Sequence, residues 1–142
     1  MNIDLNLAES YTVNPPLKTK MLYWVFTLLF VLPLLASGVV FCLGLRPAVE
    51  GMGHLGYPNY ILPFLGVAKI LGAIAVLTGR FPRLKEWAYA GFVFDLLGAA
   101  YSHLRSGDGP KTLGPLVILF LAALSWFYWR KLSARSSTLA ES

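Results

Sequence analysis

MLYWVFTLLFVLPLLASGVVFCLGL, residues 21–45, runs for 25 residues without a charged side chain. A stretch of about 17–25 apolar residues is what a helix needs to span the core of a bilayer. Three more runs follow it. YILPFLGVAKILGAIAVLTG, residues 60–79, holds only Lys69; WAYAGFVFDLLGAAYSHL, residues 87–104, holds Asp95 and His103; LGPLVILFLAALSWFYW, residues 113–129, is uncharged. Lipid demands that every backbone polar group be satisfied within the segment, which helices achieve. A soluble protein built on buried helices accommodates one such run, but not four separated by short charged loops.

Composition points the same way. The chain is 56% hydrophobic and only 13% charged, against about 25% charged for an average soluble domain. A fold of 142 residues has too few polar side chains here to cover a water-facing surface. The expected fold is therefore all-α, an integral membrane four-helix bundle with up-and-down antiparallel topology. Its connectors, residues 46–59, 80–86 and 105–112, are short, which makes neighbouring helices antiparallel. Pro63 and Pro115 fall in first turns, where proline is tolerated, and Pro33 falls mid-span, where it is expected to kink the first helix. Residues 1–20 and 130–142 read as cytoplasmic tails flanking a membrane domain of residues 21–129. No basic region directly precedes a short apolar stretch at the N-terminus, so no cleaved signal peptide is expected.

Orientation follows from the basic residues. With the N-terminus inside, Lys18, Lys20, Arg80, Arg83, Lys85, Arg130, Lys131 and Arg135 face the cytoplasm, and Arg46, Arg105 and Lys111 face outward. That asymmetry puts both termini in the cytoplasm, and Trp24, Trp87, Trp126 and Trp129 then all anchor the cytoplasmic boundary. The net charge of +5 reads as an orientation signal, not a nucleic-acid footprint. Arg83, Leu84 and Lys85 read as a solvated face at the lipid head groups, and Glu86 as a charge offsetting the helix dipole.

The single cysteine, Cys42, excludes an internal disulfide and thiol–disulfide exchange by a cysteine pair within this chain; it reads as a packing residue. There is no zinc-like Cys/His spacing, no flavin motif and no glycine-rich phosphate loop. His54 and His103 are the only histidines, and His54 falls in a loop, a poor arrangement for bis-histidine haem ligation.

Lys69 is the anomaly. A charge at the middle of a span costs about 2.5–3.5 kcal/mol on insertion scales, so it faces the bundle and finds a partner. The second and third spans form a hairpin around Arg83; Lys69 lies 14 residues before it and Asp95 lies 12 after it. At about 1.5 Å per residue the two side chains sit within about 3 Å of the same depth. Gly66 and Gly72 beside Lys69, and Gly91, Gly98 and Ser102 beside Asp95, are small residues that suit close helix packing. An intramembrane Lys69–Asp95 ion pair is the expectation. It serves either as a structural staple or as the floor of a site for a ligand head group or a proton. Asp95 is the candidate catalytic group. His103, about 12 Å nearer the outer surface, and His54, with Arg46 and Glu50, are candidates for a polar vestibule above the pair.

LGYPNYILPFLGVAKILGAIAVL, followed by RFPRLKEWAYAGFVFDLLGAAYSHL and then GDG, resembles the DoxX-like branch of the DoxX/DoxD membrane proteins, a resemblance that covers roughly residues 21–129. The resemblance implies a four-helix protein of the inner membrane. The wider group includes a subunit associated with thiosulfate:quinone oxidoreductase, components linked to oxidative-stress complexes, and membrane chaperones. Three function classes follow. The first is a membrane subunit that binds a quinone-like or other lipophilic ligand at Lys69, Asp95, His103 and His54 for a redox partner. The second is a membrane enzyme acting on a lipophilic substrate with Asp95 as acid or base. The third is a non-catalytic chaperone or assembly factor. Quinone is the one cofactor class the resemblance suggests; a homo-oligomer or a redox protein is the expected partner.

Overall fold

A computed structural model describes residues 16–140. The expected N-terminal tail lies outside the described residues as far as residue 15, as do residues 141 and 142. The chain is all-helical: α1 (Leu17–Cys42), α2 (Arg46–His54), α3 (Ile61–Thr78), α4 (Pro82–Arg105), a 3₁₀ turn (Gly109–Thr112) and α5 (Leu113–Ala140). Three of these, α1, α3 and α5 with the turn before it, are long and apolar enough to cross a membrane. The fourth long helix, α4, carries Arg83, Lys85, Glu86, Asp95, His103 and Arg105 among its apolar residues. Exposed Leu28, Leu32, Phe64, Leu71, Phe94 and Phe120 give the exterior an apolar skin, the mark of a surface that meets lipid and not water.

Proline and glycine set the helix ends. Pro82 opens α4 with its fixed φ at a position whose N–H has no helical partner, and Pro47 does the same in the first turn of α2. α1 runs unbroken through Pro33. α3 stops at Gly79, whose φ of 57° is the left-handed conformation that only glycine adopts freely.

Each long helix packs against two others: α1 against α3 and α5, and α4 against α3 and α5. The pairings are antiparallel, as the contacts show. Phe26 of α1 stacks on Tyr128 of α5, Lys69 of α3 meets Asp95 of α4, and Glu86 of α4 meets Arg130 of α5. At the α1–α3 crossing the backbones touch. A Cβ on Gly66 would lie 2.6 Å from Cys42 Sγ and 2.7 Å from the Gly38 carbonyl oxygen.

The interior is uneven. Near the starts of α1 and α4 it is solid, with Phe30, Val31, Leu34, Ala73, Val76, Tyr89, Phe92, Leu96 and Ala122 in one cluster. Phe30 meets Tyr89 and Phe92 at ring separations of 5.7 and 5.9 Å. A smaller cluster of Ala48, Met52 and Leu62 seats α2 against the other end.

Two expectations are corrected here. Residues 46–59 are not simply a polar connector, because residues 46–54 fold into α2, which His54 ends. Lys85 is not part of a solvated face. α4 starts at Pro82, before the expected span, so Lys85, Tyr89, Phe92 and Leu96 form one inward stripe, and Lys85 is only 3% exposed.

Gly66→Ala is expected to lower the unfolding temperature in detergent. A methyl gains up to about 1 kcal/mol of helix propensity over glycine, but pressing it into a neighbouring backbone costs about 1–3 kcal/mol. Gly91→Ala, with nothing within 4 Å of the added Cβ, is expected to leave the unfolding temperature unchanged or raise it.

Candidate functional site

α3 buries Leu62, Gly66, Lys69, Ala73 and Val76 along one stripe, so the same periodicity that packs the helix turns Lys69 inward. The Gly38–Gly66 contact holds that stripe close to α1, where a Cβ on Gly38 would lie 3.1 Å from Lys69 Cβ. Lys69 Nζ donates to Asp95 Oδ2 across 2.5 Å. The ammonium also stands 5.5 Å from the centre of the Phe41 ring. The side chains are 10% and 21% exposed, so the two charges compensate each other where water is scarce.

Above the pair, on the α2 side, is a cavity of about 460 Å³ walled by residues from all five helices. Its polar lining is sparse: Lys69, Asp95, Ser37, Tyr57, Ser102 and His103. Phe41, Met52, Leu55, Leu65 and Ile118 contribute apolar wall. Tyr57 and Ser102 hydrogen-bond across 2.8 Å, and Ser102 also donates to the Gly98 carbonyl, also at 2.8 Å.

The expected site residues separate into two groups. Lys69, Asp95 and His103 line the cavity, whereas His54 does not. His54 is exposed, and its Nε2 lies 2.8 Å from Asp108 Oδ2. His103 Nδ1 reaches the same oxygen at 3.3 Å, and Lys111 Nζ lies 3.4 Å from Oδ1. The polar vestibule expected from Arg46, Glu50 and His54 is thus not what roofs the cavity; Met52, Leu55 and Tyr57 do. α2 turns its apolar face to Leu62 and leaves its charged residues outside.

Asp108 was not legible as a site residue. It sits in the GDG turn, with no local pattern to pair it with a histidine 54 residues away. Partial burial alone would raise its pKa. The hydrogen bonds from His103, His54 and Lys111 outweigh that and hold the carboxyl below its ordinary value. A lowered folded-state pKa means that this contribution to stability is complete above the ordinary carboxylate range. It disappears as pH falls through the lowered value.

Glu86 belongs to neither group; it bridges α4 and α5 by pairing with Arg130 at 3.1 Å instead of only offsetting a helix dipole. Gly91 and Gly98 do not mediate tight packing either, since nothing lies within 4 Å of a Cβ at either position. The close approaches come from Gly38 and Gly66, and from Gly72 against the Phe92 ring. Among the described residues, no group of three or more His, Cys, Asp and Glu side chains is placed to hold a metal ion.

The family model described as the DoxX-like family matches residues 25–125, and the chain belongs to that family. No curated protein and no solved structure matches it.

Lys69→Met or Asp95→Leu alone leaves one charge buried without its partner, an expected loss of about 3–5 kcal/mol. The double substitution is expected to recover most of it. A double-mutant cycle on unfolding in detergent measures the coupling. Additive losses without recovery would show that the contact carries no stability.

Proposed function

We propose that this membrane protein crosses the bilayer four times, α4 supplying the fourth span, and binds an uncharged lipophilic molecule by its polar head on the Lys69–Asp95 pair. The observation that carries the reading is the cavity of about 460 Å³ whose apolar walls end on that pair. Its size and its few convergent polar groups are those of small-molecule sites, which run to about 300–1,000 Å³.

The pair selects the head group. An ammonium has three donors, and Asp95 occupies one of them. Lys69 is left with N–H groups for a ligand carbonyl, and Asp95 retains acceptor capacity for an O–H or N–H. An anionic head would meet Asp95 as well as Lys69, and a cationic one the reverse. A neutral head that both accepts and donates suits the site, such as a quinol, a hydroxyketone or a primary amide; a quinone satisfies the Lys69 half. Tyr57, Ser102 and His103 stand farther up the same cavity and would contact the remainder of a larger head.

Binding of a short-tailed quinone, its quinol and a fatty primary amide to the protein in nanodiscs tests this. Lys69→Met with Asp95→Leu is expected to weaken binding of the preferred probe at least about tenfold, or 1.4 kcal/mol. Gly98→Leu, which leaves the pair intact and puts bulk into the cavity where a Cβ meets nothing, is expected to do the same. Wild-type affinity in both variants would defeat the reading.

The inner membrane and cytoplasmic termini are part of the same proposal, supported by the basic asymmetry of the connectors. On a Cys42→Ala background, an impermeant thiol reagent added to intact cells is expected to label Gly109→Cys and spare Ser133→Cys. The opposite pattern would invert the topology.

A further inference from the structure

Lys69 and Asp95 border a second space. On the other side of the pair, a groove of about 460 Å³ follows the α3–α4 seam past Ala68, Gly72, Trp87, Ala88, Gly91 and Phe92. Leu65, Lys69, Phe94 and Asp95 line both this groove and the cavity. These four side chains are therefore what divides them. The two spaces extend in opposite directions along the bundle. The cavity reaches Tyr57 and His103 at the α2 end, and the groove reaches Trp87 near the start of α4.

The groove faces outward. Trp87 and Phe94 on its rim are each 76% exposed, and Gly91 offers open space where any other residue would project a side chain. Apart from the ion pair, its lining is apolar. A bilayer-facing groove of this kind takes a hydrocarbon chain. A charge pair at its inner end gives that chain a reason to carry a polar head.

We infer that the α3–α4 groove is a second, membrane-facing site for the same class of uncharged lipophile, and that the Lys69–Asp95 pair serves one head group at a time from either side. This rests on the reading of the cavity given above. Two features support it. The Lys69 ammonium ends a flexible stem and has donors beyond the one given to Asp95, so its free N–H groups can turn toward either space. The pair is also neutral overall, so a dipolar head gains hydrogen bonds on either side without separating the charges. Because the donors are shared, a head held from the groove leaves fewer for one in the cavity. The two sites then compete instead of filling independently.

Photolabelling separates the two sites. The probe is a fatty primary amide with a diazirine in its chain, added to the full protein in nanodiscs, with labelled residues mapped by mass spectrometry. Phe120, exposed on α5, reports ordinary contact with lipid. Labelling is expected both at the cavity (Phe41, Leu55) and at the groove (Ala68, Ala88), above the level at Phe120, and competed by unlabelled amide. Gly91→Leu, which fills the groove, is expected to cut groove labelling several-fold while cavity labelling holds or rises. Gly98→Leu is expected to do the reverse. Both positions have open space for a side chain, and the competition measurement on the unmodified protein stands even if a variant does not fold. Groove labelling no higher than at Phe120, uncompeted, or unmoved by Gly91→Leu overturns the second site while leaving the cavity intact. Cavity labelling at the Phe120 level overturns both readings.

Discussion

A charged ammonium on an otherwise apolar transmembrane helix has to be compensated, and much of the arrangement of this protein follows from where that compensation occurs. Lys69 cannot reach water without leaving the stripe that packs α3, so a carboxylate has to come to it. Asp95 does so from α4, in a direct contact between the two helices. Replacing such a pair with apolar residues of similar volume is often neutral or stabilising. The pair is therefore weak evidence of a need for stability. What distinguishes it is its location, at the boundary of two open spaces and not inside the packed cluster around Phe30.

That location reflects a division of the helical interior into a solid half and a hollow half. In the solid half, large side chains interlock: Phe30 with Tyr89 and Phe92, and Tyr89 with Trp129 at 5.9 Å. Its polar groups are paired with each other, Thr27 with Ser125 at 2.6 Å and Ser125 with Tyr89 at 2.7 Å. In the other half, Gly98, Ala99 and Gly114 stand where bulky residues would close the interior, and the cavity remains. The solid half holds the four long helices together, so the hollow half can stay open without being filled.

The ion pair was readable from sequence because depth along a helix is arithmetic, although the turn lies before Arg83: Lys69 is 9 residues before the end of α3 and Asp95 is 13 after the start of α4, an offset of about 6 Å that the long lysine stem spans. The antiparallel order of the long helices was readable for a similar reason, from short connectors. Contacts that depend on which face a helix presents were less accessible. Gly91 and Gly98 looked like packing residues because small side chains permit close approach, yet the close approach is made by Gly38 with Gly66. Lys85 looked solvated because its neighbours are charged, but its seven-residue spacing from Phe92 already placed it on the buried stripe. Asp108 had no comparable signal. Its role depends on α2 folding back toward the α4–α5 turn, which no spacing in the chain records.

Lys69 and Lys85 show why burial alone does not identify a site. Both are buried lysines facing the protein interior. Lys85 donates to the Tyr23 hydroxyl at 2.6 Å and lies 4.9 and 5.1 Å from the centres of the Tyr23 and Trp129 rings. Its ammonium is held by the Tyr23 phenol oxygen and lies beside the Trp129 ring, groups that stabilise a cation by hydrogen bonding and by the ring quadrupole. At 3% exposure it has no room beside it for a ligand. Lys69 is compensated by a carboxylate that itself retains acceptor capacity, and both partners border open volume. The first arrangement uses the charge to tie α4 to α1 and α5. The second leaves donors and acceptors unspent at the edge of an apolar space, and that surplus is what a ligand can use.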